Sequence, residues 1–303
     1  MQKDIPYHSA SGCRRLNQRR LMSKLDFWFF PTHGLDTLPD FVSRQYADAA
    51  IHCGDLTTES QIDEYKASIR FLRAINSPLK LVIAGNYDFT MDIPIFQRKA
   101  AEAQPLDPQL IRKFYGNYGE VRELFGDEKE TGITFLDEGI HSFRLQNRAL
   151  LNVYASPYTP SCGDWGFQYH LDLGHDFKIG NVDIVMTHGP PKGIMDRTHS
   201  GQRAGCQHLF KVIARSQDRP LMHCFGHIHE GWGGKLCVLI STLSMIKRKG
   251  DPTGCFRTSH CSEDPHPLKR GSETLFINAA MESSQDLLVQ PPWVVDIELP
   301  AAV

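Results

Sequence analysis

Short apolar runs, each stopped abruptly by polar residues, set the rhythm of this chain. Phe27–Phe30 runs into Pro-Thr-His-Gly, Ala49–Ile51 into His-Cys-Gly-Asp, and Leu79–Ala84 into Gly-Asn-Tyr-Asp. Leu150–Ala155 precedes Ser-Pro, Val182–Met186 precedes Thr-His-Gly-Pro-Pro, and Leu221–Phe225 precedes Gly-His-Ile-His. Apolar runs this short, ended by Gly or Pro, predict buried strands. Two more are predicted at Thr274–Ile277 and Trp293–Leu299. Helical patterns fall between them. Thr58-Glu-Ser-Gln61 has the form of a capping box, and Ile62, Tyr65, Ile69, Leu72 and Ile75 then share one face until Ser77-Pro78. A second helix is predicted from Gly205 to Ser216, with Cys206, Leu209, Phe210 and Ile213 inward. Residues 92–132 predict a looser helical hairpin, broken at Asp107-Pro108 and Gly116. Alternating strands and helices predict one α/β domain over residues 25–300, with a surface-loop insertion near 244–272.

Composition narrows the partners. The chain has 303 residues, long enough for a real core, with 33 Lys+Arg against 35 Asp+Glu. That balance argues against a broad nucleic-acid or anionic-membrane footprint. No apolar run approaches the ~18 residues of a membrane span, so no membrane partner is expected. Eight cysteines stand singly without a Cys-x-x-Cys pair, the usage of a cytoplasmic chain with reduced thiols. Cys255, His260, Cys261 and His266 cluster, but their spacing fits no standard zinc finger, and they read as solvated loop. Residues 1–24 hold six Lys or Arg, among them Arg14, Arg15, Arg19, Arg20 and Lys24, and one acid, and read as a basic, disordered arm. The same composition suits a mitochondrial transit peptide, which keeps that compartment as the alternative.

Fourteen histidines are the unusual supply. In open α/β sheets, ligand chemistry collects where strands end. Those ends offer His33, Asp55, Asn86, His188, His227 and His229, several of them beside Gly. A single His after a strand is usually a satisfied polar group; the joint occurrence carries the weight. Imidazoles with one carboxylate and one amide suit Mn, Fe, Zn or Ni rather than calcium. Two cations, sharing a carboxylate such as Asp55, are the standard arrangement for in-line attack at phosphorus.

The ordered blocks Thr32-His-Gly, His52-Cys-Gly-Asp-Leu-Thr57, Val82-Ile-Ala-Gly-Asn86, Tyr158, Trp165-Gly-Phe167 and Thr187-His-Gly-Pro-Pro191 resemble the calcineurin-like metallophosphoesterases. Phe225-Gly-His-Ile-His-Glu-Gly231, Phe276-Ile-Asn-Ala279 and Gln290-Pro-Pro-Trp293 extend the resemblance, which is strongest to the metallophosphoesterase-domain-containing (MPPED-like) members. It implies an α/β fold, a two-sheet β-sandwich flanked by helices. It implies one or two divalent ions and a phosphodiesterase acting on a small-molecule phosphoester through a metal-bound hydroxide. Asp55 would bridge the ions, Asn86, His188 and His227 would complete one site, and His33 and His229 would hold the other.

Two departures qualify that implication. Pro31 stands where the family has an aspartate ligand, which predicts one firm and one weaker, exchangeable ion; Asp36 is a candidate substitute. Tyr87 stands where the family has its proton-donating catalytic histidine. A phenol with pKa near 10 is a poor acid at neutral pH, and general acid catalysis supplies about 100- to 10,000-fold. Tyr158, Trp165 and Phe167 are candidates for a substrate-binding wall, and Glu230 for a carboxylate that orients a ligand imidazole. His52 reads as buried structure. Three functions stay open on these residues: the phosphoesterase, a metal-dependent hydrolase or lyase of a small metabolite, and a non-catalytic, metal-stabilised binding module.

Overall fold

A computed structural model describes residues 22–29, 45–103, 105–126, 128–161, 163–237, 243–245, 255–280 and 290–300. Fifteen strands are seen among them. They are β1 (Met22–Phe29), β2 (Ala49–Cys53), β3 (Lys80–Ile83), β4 (Ile133–Phe135) and β5 (Gly139–Arg144), then β6 (Leu150–Ser156), β7 (Thr159–Pro160) and β8 (Gln168–Tyr169). β9 (Ile184–Thr187), β10 (Met222–Phe225), β11 (Gly233–Cys237), β12 (Leu243–Met245), β13 (Phe256–Ser259), β14 (Thr274–Asn278) and β15 (Trp293–Pro300) follow. Helices α1 (Ile62–Ala74), α2 (Ile93–Glu102), α3 (Pro108–Tyr115), α4 (Glu120–Gly126) and α5 (Gln207–Arg215) lie between them.

Most strands enter two sheets. One has the order β13-β15-β1-β2-β3-β4, the other β12-β11-β14-β10-β9-β6-β5. The strands at the heart of both, β1-β2-β3 and β6-β9-β10-β14, run parallel to their neighbours in those sets. β2, β3, β6, β9, β10 and β14 are buried on both faces, which is why their sequences read as apolar runs. Ala49, Ile51, Leu81, Ile83, Val295 and Ile297 of one sheet meet Val153, Ala155, Ile184, Met186, Cys224 and Ile277 of the other in one core. The alternate residues face outward. Ala50 and Val82 pack on Tyr65, Ile69 and Leu72 of α1, while Val185, Phe225 and Phe276 pack on Leu209 and Ile213 of α5. The architecture is therefore the two-sheet sandwich with helices on its outer faces.

Four local expectations are corrected. α1 starts at Ile62, one turn past Thr58, because Glu64 reaches back to accept from the backbone N–H groups of Gln61 (2.8 Å) and Thr58 (3.0 Å). The stretch near 244–272 is not all surface loop: β13 pairs parallel with β15, and Phe256 is buried with its ring 4.3 Å from that of Trp293. Residues 22–24, assigned to the basic arm, belong to β1, while residues 1–21 lie outside the described residues. The Cys255–His266 cluster is not solvated loop either: Cys255, His260 and Cys261 are buried, and His260 has Nδ1 on the His266 carbonyl (3.0 Å) and Nε2 on Thr258 Oγ1 (2.9 Å), the bonding of a structural side chain and not a zinc ligand. Among the described residues no helix is long and apolar enough to cross a membrane.

Candidate metal centre

The C-terminal ends of β2, β3, β9 and β10 open at one place, and each delivers a side chain to it. Asp55 follows β2, Asn86 follows β3, His188 follows β9 and His227 follows β10. Oxygen and nitrogen atoms of Asp55, His188 and His227 lie within 4.8 Å of one another, the one such His/Cys/Asp/Glu group among the described residues. Asn86 joins them, with Oδ1 2.9 Å from His188 Nε2. Asp55 and His227 both sit at positive φ, 57° and 65°, so each strand turns sharply as it ends. Gly85 is required by this convergence. A Cβ there would collide with Asp55 and stand 2.6 Å from His188 Cε1.

Hydrogen bonding fixes which atoms face the centre. His188 Nδ1–H donates to the Cys53 carbonyl at 2.7 Å, which leaves the Nε2 lone pair pointing inward. That atom meets Asp55 Oδ2 at 3.2 Å and the Asn86 amide oxygen at 2.9 Å. The Tyr87 backbone N–H donates to Asp55 Oδ1 at 2.9 Å and holds the carboxylate in place. Three lone-pair atoms thus point at one another in a buried space, an arrangement that needs a positive charge among them. The residues present fit a divalent cation with N and O ligands. Burial works against a charged His188 ring, yet Asp55, the Cys53 carbonyl and Asp88 together hold its pKa above the ordinary value. His227 goes the other way, pushed down to about 3 by burial and by its histidine neighbours, and so presents a neutral ring.

Two residues that bind no ligand organise the site, and neither was singled out from the sequence. Asp88, fully buried, accepts from the backbone N–H groups of Gly85 (2.7 Å), Leu56 (3.0 Å) and Thr57 (3.1 Å). It ties the loop after β3 to the loop after β2, and burial with the nearby Asp55 charge raises its pKa to about 6. Asn278, also fully buried, donates through Nδ2 to the Ile228 carbonyl at 2.9 Å and to the Met195 carbonyl at 3.4 Å. It therefore grips the turn between His227 and His229. The signal that was available is position: Asp88 lies in Gly-Asn-Tyr-Asp and Asn278 in Phe276-Ile-Asn-Ala279.

The remaining candidates separate. His33, Pro31 and Asp36 lie outside the described residues. His229 begins a short 3₁₀ turn, half-buried, and is not part of the three-residue group. Glu230 does not orient a ligand imidazole; its Oε1 accepts from the His199 backbone N–H at 2.7 Å, so it anchors the neighbouring loop. Phe167 is not a wall residue: it is 5% exposed and packs in the core under α1. Tyr158 is partly buried and stacked on His175, ring centroids 4.5 Å apart. His175 is itself hydrogen-bonded to Glu138 at 2.7 Å. Trp165 remains exposed, and its ring meets that of Tyr87 edge-on at 4.9 Å. His52 is buried, with Nδ1 accepting from the Gly54 N–H at 3.3 Å.

Known proteins share this sequence pattern. The family described as calcineurin-like phosphoesterase matches residues 32–231. Metallophosphoesterase domain-containing protein 1 of Homo sapiens is 32% identical over 204 residues, covering 64% of this chain and 58% of that protein. A protein of Emericella nidulans named "Probable rhamnogalacturonate lyase C" is 32% identical over 188 residues, 61% of this chain but 16% of its own length. A UPF0046 protein of Caenorhabditis elegans is 29% identical over 195 residues, covering 61% and 47%. The matched stretch thus spans little more than half the length of the human relative.

Proposed function

The chain belongs to the calcineurin-like phosphoesterase family, and from that premise we propose that it is a phosphodiesterase acting on small-molecule phosphoesters. The observation that supports this reading most is the buried meeting of Asp55 Oδ2, Asn86 Oδ1 and His188 Nε2, whose lone pairs all face inward. Manganese is the ion proposed to act there, with Asp55, Asn86, His188 and His227 as its ligands. A second, more weakly held ion would fall to His33, His229 and the shared Asp55. A bound divalent cation supplies Lewis-acid activation of water and neutralises charge developing on the phosphoryl oxygens.

The chain's own residues set the limits of that chemistry. Cys53 and the Tyr87 N–H fix the His188 tautomer and the Asp55 carboxylate, so the ligands need no reorganisation to receive charge. Tyr87 occupies the position from which a leaving group is protonated, and its phenol holds its proton too tightly to do so well at neutral pH. Esters with good aryl leaving groups are then turned over, while those with basic alkoxide leaving groups, cyclic nucleotides included, are turned over poorly. We further propose a cytoplasmic setting, in keeping with the unpaired, buried thiols of Cys53, Cys206 and Cys224.

The test begins with elemental analysis of the purified chain, followed by hydrolysis of bis-(4-nitrophenyl) phosphate with and without added Mn. Activity that needs Mn and is lost in Asp55→Ala is expected. A metal-loaded but inert chain would overturn the phosphodiesterase and favour a small-metabolite hydrolase or lyase or a binding module, which metabolite screening would divide. Tyr87→His should raise turnover of a cyclic nucleotide by at least about 10-fold, a partial recovery of the roughly 100- to 10,000-fold that general acid catalysis supplies. If neither substrate responds to that substitution, Tyr87 does not hold the acid position.

A further inference from the structure

The α2–α3 hairpin exposes more apolar surface than a solvated helix pair needs. Leu106, Leu110, Phe114 and Tyr118 are each between 44% and 57% exposed. Between the two helices runs a groove of about 630 Å³, walled mainly by Phe89, Phe96, Leu106, Ile111, Tyr115 and Trp165, with Lys99, Glu59 and Glu102 at its rim. A second concavity of about 480 Å³ shares Phe96, Ala100, Leu106 and Ile111 with the first and prolongs it. Trp165 connects this groove to the metal centre. One side of the residue lines the groove, and its ring meets the edge of Tyr87, whose backbone holds the Asp55 carboxylate. At the same end, the Lys99 ammonium lies 5.0 Å and 5.1 Å from the ring centroids of Trp165 and Phe89. No carboxylate of the described residues lies within 4.0 Å of it in an ion pair, unlike Arg98, which meets Glu102 and Asp164.

We propose that this groove is a subsite for an apolar tail of the substrate, so that the natural phosphodiester carries a long alkyl chain on its non-leaving side. The proposal rests on the phosphodiesterase reading. Continuity with the site wall through Trp165 favours a tail belonging to the same molecule as the scissile phosphate. Positive charge from Lys99 lies against the Trp165 ring, on the side of the groove that adjoins Tyr87, where the anionic head belongs. Phe96, Leu106 and Ile111 supply the apolar walls for the tail, with Glu59 and Glu102 also lining the groove. The groove volume also falls within the range of about 300–1,000 Å³ usual for small-molecule sites.

The test uses the Mn-loaded chain and two arms. In the first, binding of ethyl-, hexyl- and decylphosphonate is followed by calorimetry and by tryptophan fluorescence. Burial of methylenes has a ceiling of about fourfold in affinity each, and decylphosphonate is expected to bind at least about 30-fold tighter than ethylphosphonate. Ala100→Trp, which fills the shared part of both concavities from a half-exposed helix face, should bring that ratio to within about threefold of one. Leu106→Asp should do the same by a different route, and circular dichroism checks that both variants fold. Equal affinity for all three phosphonates, or a length preference that survives both variants, overturns the proposal. So does length-independent binding accompanied by self-association that Ala100→Trp abolishes, which assigns the groove to a second copy of the chain.

In the second arm, kcat/KM is compared for methyl and decyl 4-nitrophenyl phosphate. A decyl preference lost in Ala100→Trp supports the subsite. Inactivity toward both esters overturns the phosphodiesterase reading and the substrate role of the groove with it, while the binding arm still reports whether the groove takes the chain.

Discussion

His188, just past β9, and His223, inside the neighbouring strand β10, are both fully buried imidazoles, and their bonding gives them opposite roles. His188 has a carbonyl on one nitrogen and two acceptor oxygens facing the other. His223 donates from Nε2 to Thr187 Oγ1 at 2.8 Å, while its Nδ1 finds no partner among the described residues. A proton added at Nδ1 would be stranded in the core, and burial pushes the pKa down to about 3. The unfolded chain takes that proton near pH 6.5 and the folded chain does not, so stability is intact above about pH 6.5 and is lost as pH falls toward 3. Denaturant midpoints measured from pH 8 to pH 4 should fall with a slope reaching about 1.4 kcal/mol per unit from this group, and His223→Phe should flatten it. An unchanged slope would show that His223 is not the acid-sensitive group. Asn278 makes a second prediction at this scale. Asn278→Ala leaves the Ile228 carbonyl without its buried donor, at a cost of about 1–3 kcal/mol. Metal affinity, measured separately by titration, should weaken about 10- to 100-fold as the His227 turn loosens. The convergence of Asp55, Asn86, His188 and His227 was legible in the sequence because each is a polar residue just after an apolar run. Asp88 and Asn278 were not, because their partners at Leu56 and Ile228 lie 32 and 50 residues away and nothing local marks the pairing.

At the level of elements, the same contrast separates strands that were readable from those that were not. β2, β3, β6, β9, β10 and β14 are buried on both faces, so each appears as an apolar run bounded by Gly, Pro or polar residues. β13 is one buried Phe followed by Arg, Thr and Ser, and its strand character comes from pairing with β15, nearly forty residues on. No window around Phe256 contains that information. The aromatic wall was half legible for a similar reason: Trp165 and Phe167 stand two apart in one turn-rich segment, yet the positive φ of Phe167 sends it to the core while Trp165 stays at the surface. The start of α1 shows how one side chain moves a boundary. Glu64 satisfies the N–H groups of Thr58, Glu59 and Gln61, which otherwise have no helical acceptor. Glu64→Ala should therefore cost about 0.5–2 kcal/mol in chemical denaturation, with Glu64→Gln losing less because its amide oxygen still accepts. Equal losses for the two variants would place the effect in charge rather than in capping.

For the molecule as a whole, the placement of the centre matters more than its composition. Asp55 and Asn86 leave the sheet containing β2 and β3, whereas His188 and His227 leave the sheet containing β9 and β10. An ion held by all four would bridge the two halves of the sandwich where these strand ends meet. Binding to the folded chain alone stabilises it by about 2.7 kcal/mol at one hundred times Kd, a rise in Tm on the order of 5 °C for a chain of this size. Saturating Mn should produce that rise in the wild type, and a chelator should reverse it. Bridging predicts more than ordinary ligand stabilisation: Asp55→Ala, on one sheet, and His188→Ala, on the other, must each remove the effect. If either variant still gains the full shift with Mn, the ion is held from one side only, and the sandwich does not close around it.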